Sequence, residues 1–159
     1  MSLHIDIKTQ IKDAMLAKDI VRLSVLRGLS AAFTNDLIIK RRKSDEELSD
    51  EEVLDIIRRQ VKQRKDSIEQ FQKGGRTDLV ESEKSELAIL ETYLPAQMSK
   101  GEVVNFVKAK LAEMGATDPA KKNQFMGAVM KDLKGKADGT MVKEVIDSLF
   151  WLLILNMIG

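Results

Sequence analysis

Cysteine is absent from the 159 residues, and histidine, tryptophan and tyrosine occur once each and proline twice. Without cysteine there is no disulfide, no thiol nucleophile, no iron-sulfur cluster and no cysteine-ligated zinc. The lone histidine, His4, lies close to the N-terminus and reads as a solvated surface residue, so neither imidazole catalysis nor a histidine-clustered metal site is expected. Aromatic residues make up only 4% of the chain against 32% charged residues, which favours helices over a strand-rich sandwich. A strong charge of one sign is missing too: 26 lysines and arginines face 25 aspartates and glutamates, so any contact with a polyanion must be local. The phosphate loop G-x-x-x-x-G-K-[ST] does not occur. The longest apolar run, Leu149 to Leu155 (LFWLLIL), falls well short of the ~20 residues that span a bilayer, so no membrane partner is expected. The N-terminus does not read as a signal peptide, and a cytoplasmic location is the expectation.

What is present is 43% hydrophobic residues at helical spacing. Leu3, Ile5, Ile7, Ile11, Met15 and Leu16 predict a first helix, and Ala17 to Asp19 a tight turn. A second helix is predicted from about Asp19 to Lys40, burying Val21, Leu23, Val25, Leu26, Leu29 and Phe33 and ending in a solvated basic cluster, Lys40 to Lys43. Ser49 and Glu52 form a capping box that starts a third helix, with Val53, Ile56, Ile57, Val61, Ile68 and Phe71 on its apolar face and a stop at Gly74-Gly75. Thr77 and Asp78 are candidate caps of a fourth helix, which Leu94-Pro95 ends. A second capping box, Ser99 with Glu102, opens a fifth helix that Gly115 closes. Pro119, behind a capping Thr117 or Asp118, introduces a sixth. The expected architecture is all-α: long antiparallel helices over residues 1–95, then a small three-helix domain over 96–159. Up to Leu94 there are 17 basic and 18 acidic residues, and beyond it 9 and 7, so only the smaller part is net positive.

The connector Lys134 to Gly139 (KGKADG) joins the last two helices. Gly135 suits a left-handed position after a helix, Asp138 an N-cap and Gly139 a tight entry. Lys134 and Lys136 are left without a complete structural role. Two readings stand side by side: a plain turn, or a basic knob that contacts phosphate.

Residues 62–99 (KQRKDSIEQFQKGGRTDLVESEKSELAILETYLPAQMS) followed by 126–146 (MGAVMKDLKGKADGTMVKEVI) resemble the YqeY family, small proteins related to the tail of the B subunit of tRNA-dependent amidotransferases. The resemblance covers nearly the whole chain. It implies a two-part helical fold whose smaller part, in the amidotransferase, helps hold the tRNA. The family's connector falls on Lys134, Gly135, Lys136, Ala137, Asp138 and Gly139. With nearby Lys131, the residues Lys134, Gly135, Lys136, Asp138 and Gly139 form the expected RNA-binding site. Where relatives tend to carry Gly-Lys before Val-Met on the sixth helix, this chain has Asn123-Gln124 before Phe125-Met126, one cation fewer.

The family-level label is carbon-nitrogen ligation with glutamine as amide donor, but the glutaminase nucleophile, the ATP site and the magnesium ligands belong to other parts of the amidotransferase. The acidic run Asp45 to Glu52 reads as a solvated linker and helix start. The expectation is therefore an accessory tRNA- or RNA-binding module, weak alone, without catalytic residues, cofactor or metal. An amidotransferase or aminoacyl-tRNA enzyme is its expected protein partner. The alternative is a non-catalytic module that docks through its apolar C-terminal helix. That helix is apolar all round near Trp151, which predicts burial.

Overall fold

The computed structural model describes residues 1–115 and 118–159. Among the described residues there are seven α-helices and no strand: α1 (Leu3–Leu16), α2 (Ile20–Ile39), α3 (Asp50–Lys73), α4 (Thr77–Glu91), α5 (Lys100–Met114), α6 (Lys122–Asp132) and α7 (Gly139–Ile158), with a 3₁₀ turn at Pro119–Lys121. They form two compact units, Met1–Leu94 and Pro95–Gly159.

Local chemistry starts and stops these helices. The side chains of Ser2, Asp19, Ser49, Ser99 and Asp138 each accept a backbone N–H of the helix that follows, and at Ser49 and Ser99 the reciprocal glutamate bond completes a capping box. Helix α3 ends in a Schellman turn, in which Gly75 N–H donates to Gln72 O and Arg76 N–H to Phe71 O, with Gly75 at φ 69°. The same pair of bonds ends α1 and α2, but the left-handed position is held there by Lys18 (φ 55°) and Arg41 (φ 56°). Two predicted caps differ. Thr77 is already helical behind Arg76, which makes no side-chain cap, and Asp78 instead receives the Arg76 guanidinium at 3.2 and 3.3 Å. The cap before Pro119 is Asp118, which accepts from Ala120 N–H at 2.9 Å; the alternative, Thr117, lies outside the described residues.

In the first unit Ile7, Leu26, Leu29, Phe33, Leu37, Val53, Ile57 and Leu90 make a continuous core from α1 to α4. Each such side chain contributes about 1.5–3 kcal/mol by leaving water. Val21 is exposed and Leu23 half-buried, so α2 turns a narrower face inward than its composition predicts. His4 is the main departure. It is 1% exposed, packs against Phe33 with ring centroids 5.0 Å apart, and accepts the Leu48 N–H. The basic cluster is not merely solvated either. Lys40 pairs with Asp36 at 2.7 Å and with Glu52 at 2.8 Å, and Arg42 reaches Glu46 and Glu52.

The second unit packs α5, α6 and α7 around Val103, Val107, Phe125, Val129, Val142, Ile146 and Phe150, with the Phe125 and Phe150 rings 5.5 Å apart. Burial of α7 stops earlier than its apolar composition predicts. Trp151 is 61% exposed, and Leu152, Leu155, Met157 and Ile158 are exposed as well. The helix runs past the core that Phe150 completes, so nothing in the unit covers these side chains.

Candidate nucleic-acid interface

The connector between α6 and α7 is held from both sides. At the end of α6 the Leu133 side chain is buried, and its carbonyl accepts the N–H groups of Lys136 at 2.9 Å and Ala137 at 3.3 Å. Gly135 takes φ 76°, the left-handed conformation in which an L side chain is strained. The outward carbonyls are engaged too: Lys136 O accepts Met98 N–H at 2.8 Å, and Gly135 O accepts the Gln97 side-chain amide at 3.2 Å. Asp138 then caps α7, its Oδ1 accepting from Thr140 N–H at 2.8 Å and Met141 N–H at 3.2 Å. That carboxylate occupies the place where a helix N-terminus would otherwise attract an anion. Gly139 is the first residue of α7, and a Cβ there would lie 3.4 Å from the Met130 methyl.

The cations of this region divide by partner. Lys110 pairs with Asp132 at 3.0 Å, which holds its ammonium pKa above the usual lysine value, and Lys122 pairs with Asp147 at 2.6 Å. The exposed Lys131, Lys134 and Lys136 have no carboxylate within ion-pair distance among the described residues. Asp132 and Asp138 are thus both occupied, one by Lys110 and one by backbone amides, while three ammonium groups extend from one short, tied segment. Such an arrangement can place positive charge against phosphates at little ordering cost to the backbone.

In the first unit some of the same residue types are tied internally. Arg58 pairs with Asp55 at 2.7 Å, and Arg64 on α3 bridges to Glu83 and Glu86 on α4. The acidic run is likewise structural. Glu47 accepts the Ser2 hydroxyl and Asp50 the Leu3 N–H, so the segment before α3 is tied to the start of α1. Glu52 takes the Lys40 ammonium, the Ser49 N–H and the Arg42 guanidinium, and its pKa falls to about 2 for those reasons in that order. No group of three or more metal-ligating side chains gathers among the described residues.

Sequence alone does not separate Lys122 from the connector lysines, but its pairing with Asp147 takes it out of their set. The sequence put His4 at the surface and favoured a buried end of α7 over an exposed docking helix, whereas His4 is buried and Trp151 exposed. Both depend on which residues from elsewhere in the chain come close, and no local pattern carries that.

Comparison with known protein families matches residues 4–150 to the one described as Yqey-like protein. The chain belongs to the YqeY-like family. Among curated YqeY-like relatives, "Altered inheritance of mitochondria protein 41, mitochondrial" of Lachancea thermotolerans is 36% identical over 72% of this chain and 61% of its own length. The protein of the same name from Kluyveromyces lactis is 35% identical over 91% of this chain and 80% of its own length. That from Eremothecium gossypii is 38% identical over 57% of this chain and 48% of its own. The chain thus spans from about half to four-fifths of the relatives it matches. These names overturn the expected cytoplasmic location: the relatives are mitochondrial proteins, and a location inferred from an unremarkable N-terminus does not stand against them.

Proposed function

We propose that this YqeY-like protein is an accessory RNA-binding module, with tRNA as its leading ligand, that contacts phosphate through Lys131, Lys134 and Lys136. The observation that carries the reading is the set of three exposed, carboxylate-free ammonium groups, Lys131 in the last turn of α6 and Lys134 and Lys136 on a connector whose backbone is hydrogen-bonded on both sides. Gly135 supplies the turn, Asp138 fixes the start of α7, and Gly139 lets α7 begin close to Met130. The kinship with the amidotransferase tail supports tRNA over other polyanions and makes an amidotransferase or aminoacyl-tRNA enzyme the natural partner. Any part in glutamine-dependent carbon-nitrogen ligation would be played within such a complex.

Three phosphate contacts release few counterions, so binding by the chain alone falls near the non-specific range, with Kd on the order of 10⁻⁴ to 10⁻⁶ M. Photo-crosslinking of tRNA to the full chain, followed by peptide mapping, tests the assignment. Crosslinks within residues 126–146 are expected, and crosslinks confined to residues 1–94 would overturn it.

A further inference from the structure

The exposed end of α7 has a pattern of its own. Ser148, Trp151, Leu155 and Ile158 recur at alternating spacings of three and four residues, the seam of a two-helix coiled coil, and all four are exposed. From Ser148 to Gly159 there is no charged side chain. Beside Ser148 lies a groove of about 550 Å³ between α5 and α7, lined by Val104, Val145, Ser148 and Leu149 together with the charged Lys100, Glu144 and Asp147.

We propose that this surface binds a second copy of the chain, with the two α7 helices packed antiparallel about a two-fold axis near Leu153. In an isologous contact each residue meets its counterpart's surroundings, so a charge at the centre would face its own copy. This seam carries none. The antiparallel register is also self-complementary in size: Trp151 faces the partner's Leu155, and the small Ser148 faces the partner's Ile158. That places the partner's Ile158 over the groove at Val104, Val145 and Leu149, a knob over a hole. Leu152 and the half-buried Ile154 flank the seam and meet across the same axis.

Other occupants fit less well. A charged partner face would bury its charges against apolar side chains without counter-ions. The seam is short, so a weak dimer is expected, with Kd on the order of 10–100 μM.

The test uses the full chain in sedimentation equilibrium, with the fluorescence of Trp151, the sole tryptophan, as a local probe. A concentration-dependent dimer is expected, with a blue-shifted Trp151 emission. Leu155→Glu should weaken it at least tenfold and Trp151→Glu should do the same, without change in helicity, since both residues are exposed in the single chain. Register is read in the variant Ser148→Cys, Ile158→Cys, which has no competing thiol. The two positions lie about 15 Å apart along one helix, too far for an internal bridge. Oxidation should therefore give an intermolecular bond between positions 148 and 158. A monomer up to roughly 1 mM, a dimer indifferent to both glutamates, linkage only between like positions, or vesicle binding without dimerisation would each overturn the proposal.

Discussion

The imidazole Nδ1 of His4 accepts the Leu48 backbone N–H at 3.0 Å inside the core of the first unit. A ring nitrogen that accepts carries no proton, so this bond exists only with His4 neutral at that atom. Burial lowers its pKa below the ordinary 6.5, and Lys8 adds to the effect. The unfolded chain, with its histidine in water, takes up the proton more readily. Below about pH 6.5 the unfolded state therefore binds more protons, and stability falls as the pH falls. Denaturant titrations at about pH 7.5 and about pH 5.5 should show this loss in the wild type and a smaller one in His4→Asn, which keeps an acceptor without a titrating ring. Equal losses in the two proteins would detach His4 from the effect.

Glu52 makes the opposite kind of contribution through the same linkage. Its pKa is near 2 in the folded protein against an ordinary 4.5, so it stabilises above about pH 4.5 and that contribution disappears as the pH approaches 2. Glu52→Gln keeps an acceptor for the Ser49 N–H but removes the charge that holds Lys40 and Arg42. A loss of about 1–2 kcal/mol at neutral pH is expected from thermal or urea unfolding, with a shallower acid limb.

The two left-handed residues that are not glycine offer a gain. Lys18 and Arg41 stand where Gly75 stands at the end of α3, and an L side chain is strained there. Lys18→Gly and Arg41→Gly should each stabilise by about 0.5–1 kcal/mol, offset in part by the greater freedom of glycine in the unfolded chain. A rise in melting temperature for either variant is the readout.

How far the sequence anticipates the structure depends on distance along the chain. The capping boxes at Ser49 and Ser99, the stop at Gly75 and the turn at Gly135 are readable because each is complete within a few residues. His4 is not, because its partner Leu48 lies 44 positions away and nothing near His4 announces it. Lys122 looks like Lys131 and Lys134 on paper, and only the packing of α6 beside α7 brings Asp147 to it. The run from Phe150 to Ile154 is apolar all round, a pattern that fits a buried helix and an overhanging one equally well. Phe150 closes the core and Trp151 does not, and that difference lies in where the neighbouring helices end.

The central claim is that Lys134 and Lys136 grip phosphate, and the salt dependence of tRNA affinity tests it most directly. Affinity should be measured by fluorescence anisotropy across a salt series for wild type, for the double variant Lys134→Gln, Lys136→Gln, and for Asp138→Ala. The double variant should bind more weakly, with a log–log slope smaller by about one unit per lost contact, while its stability changes by less than about 0.5 kcal/mol. Asp138→Ala should lose about 1 kcal/mol of stability with the α7 cap and keep the wild-type slope. Equal affinity of wild type and double variant for tRNA at low salt would contradict the account and leave the connector a turn.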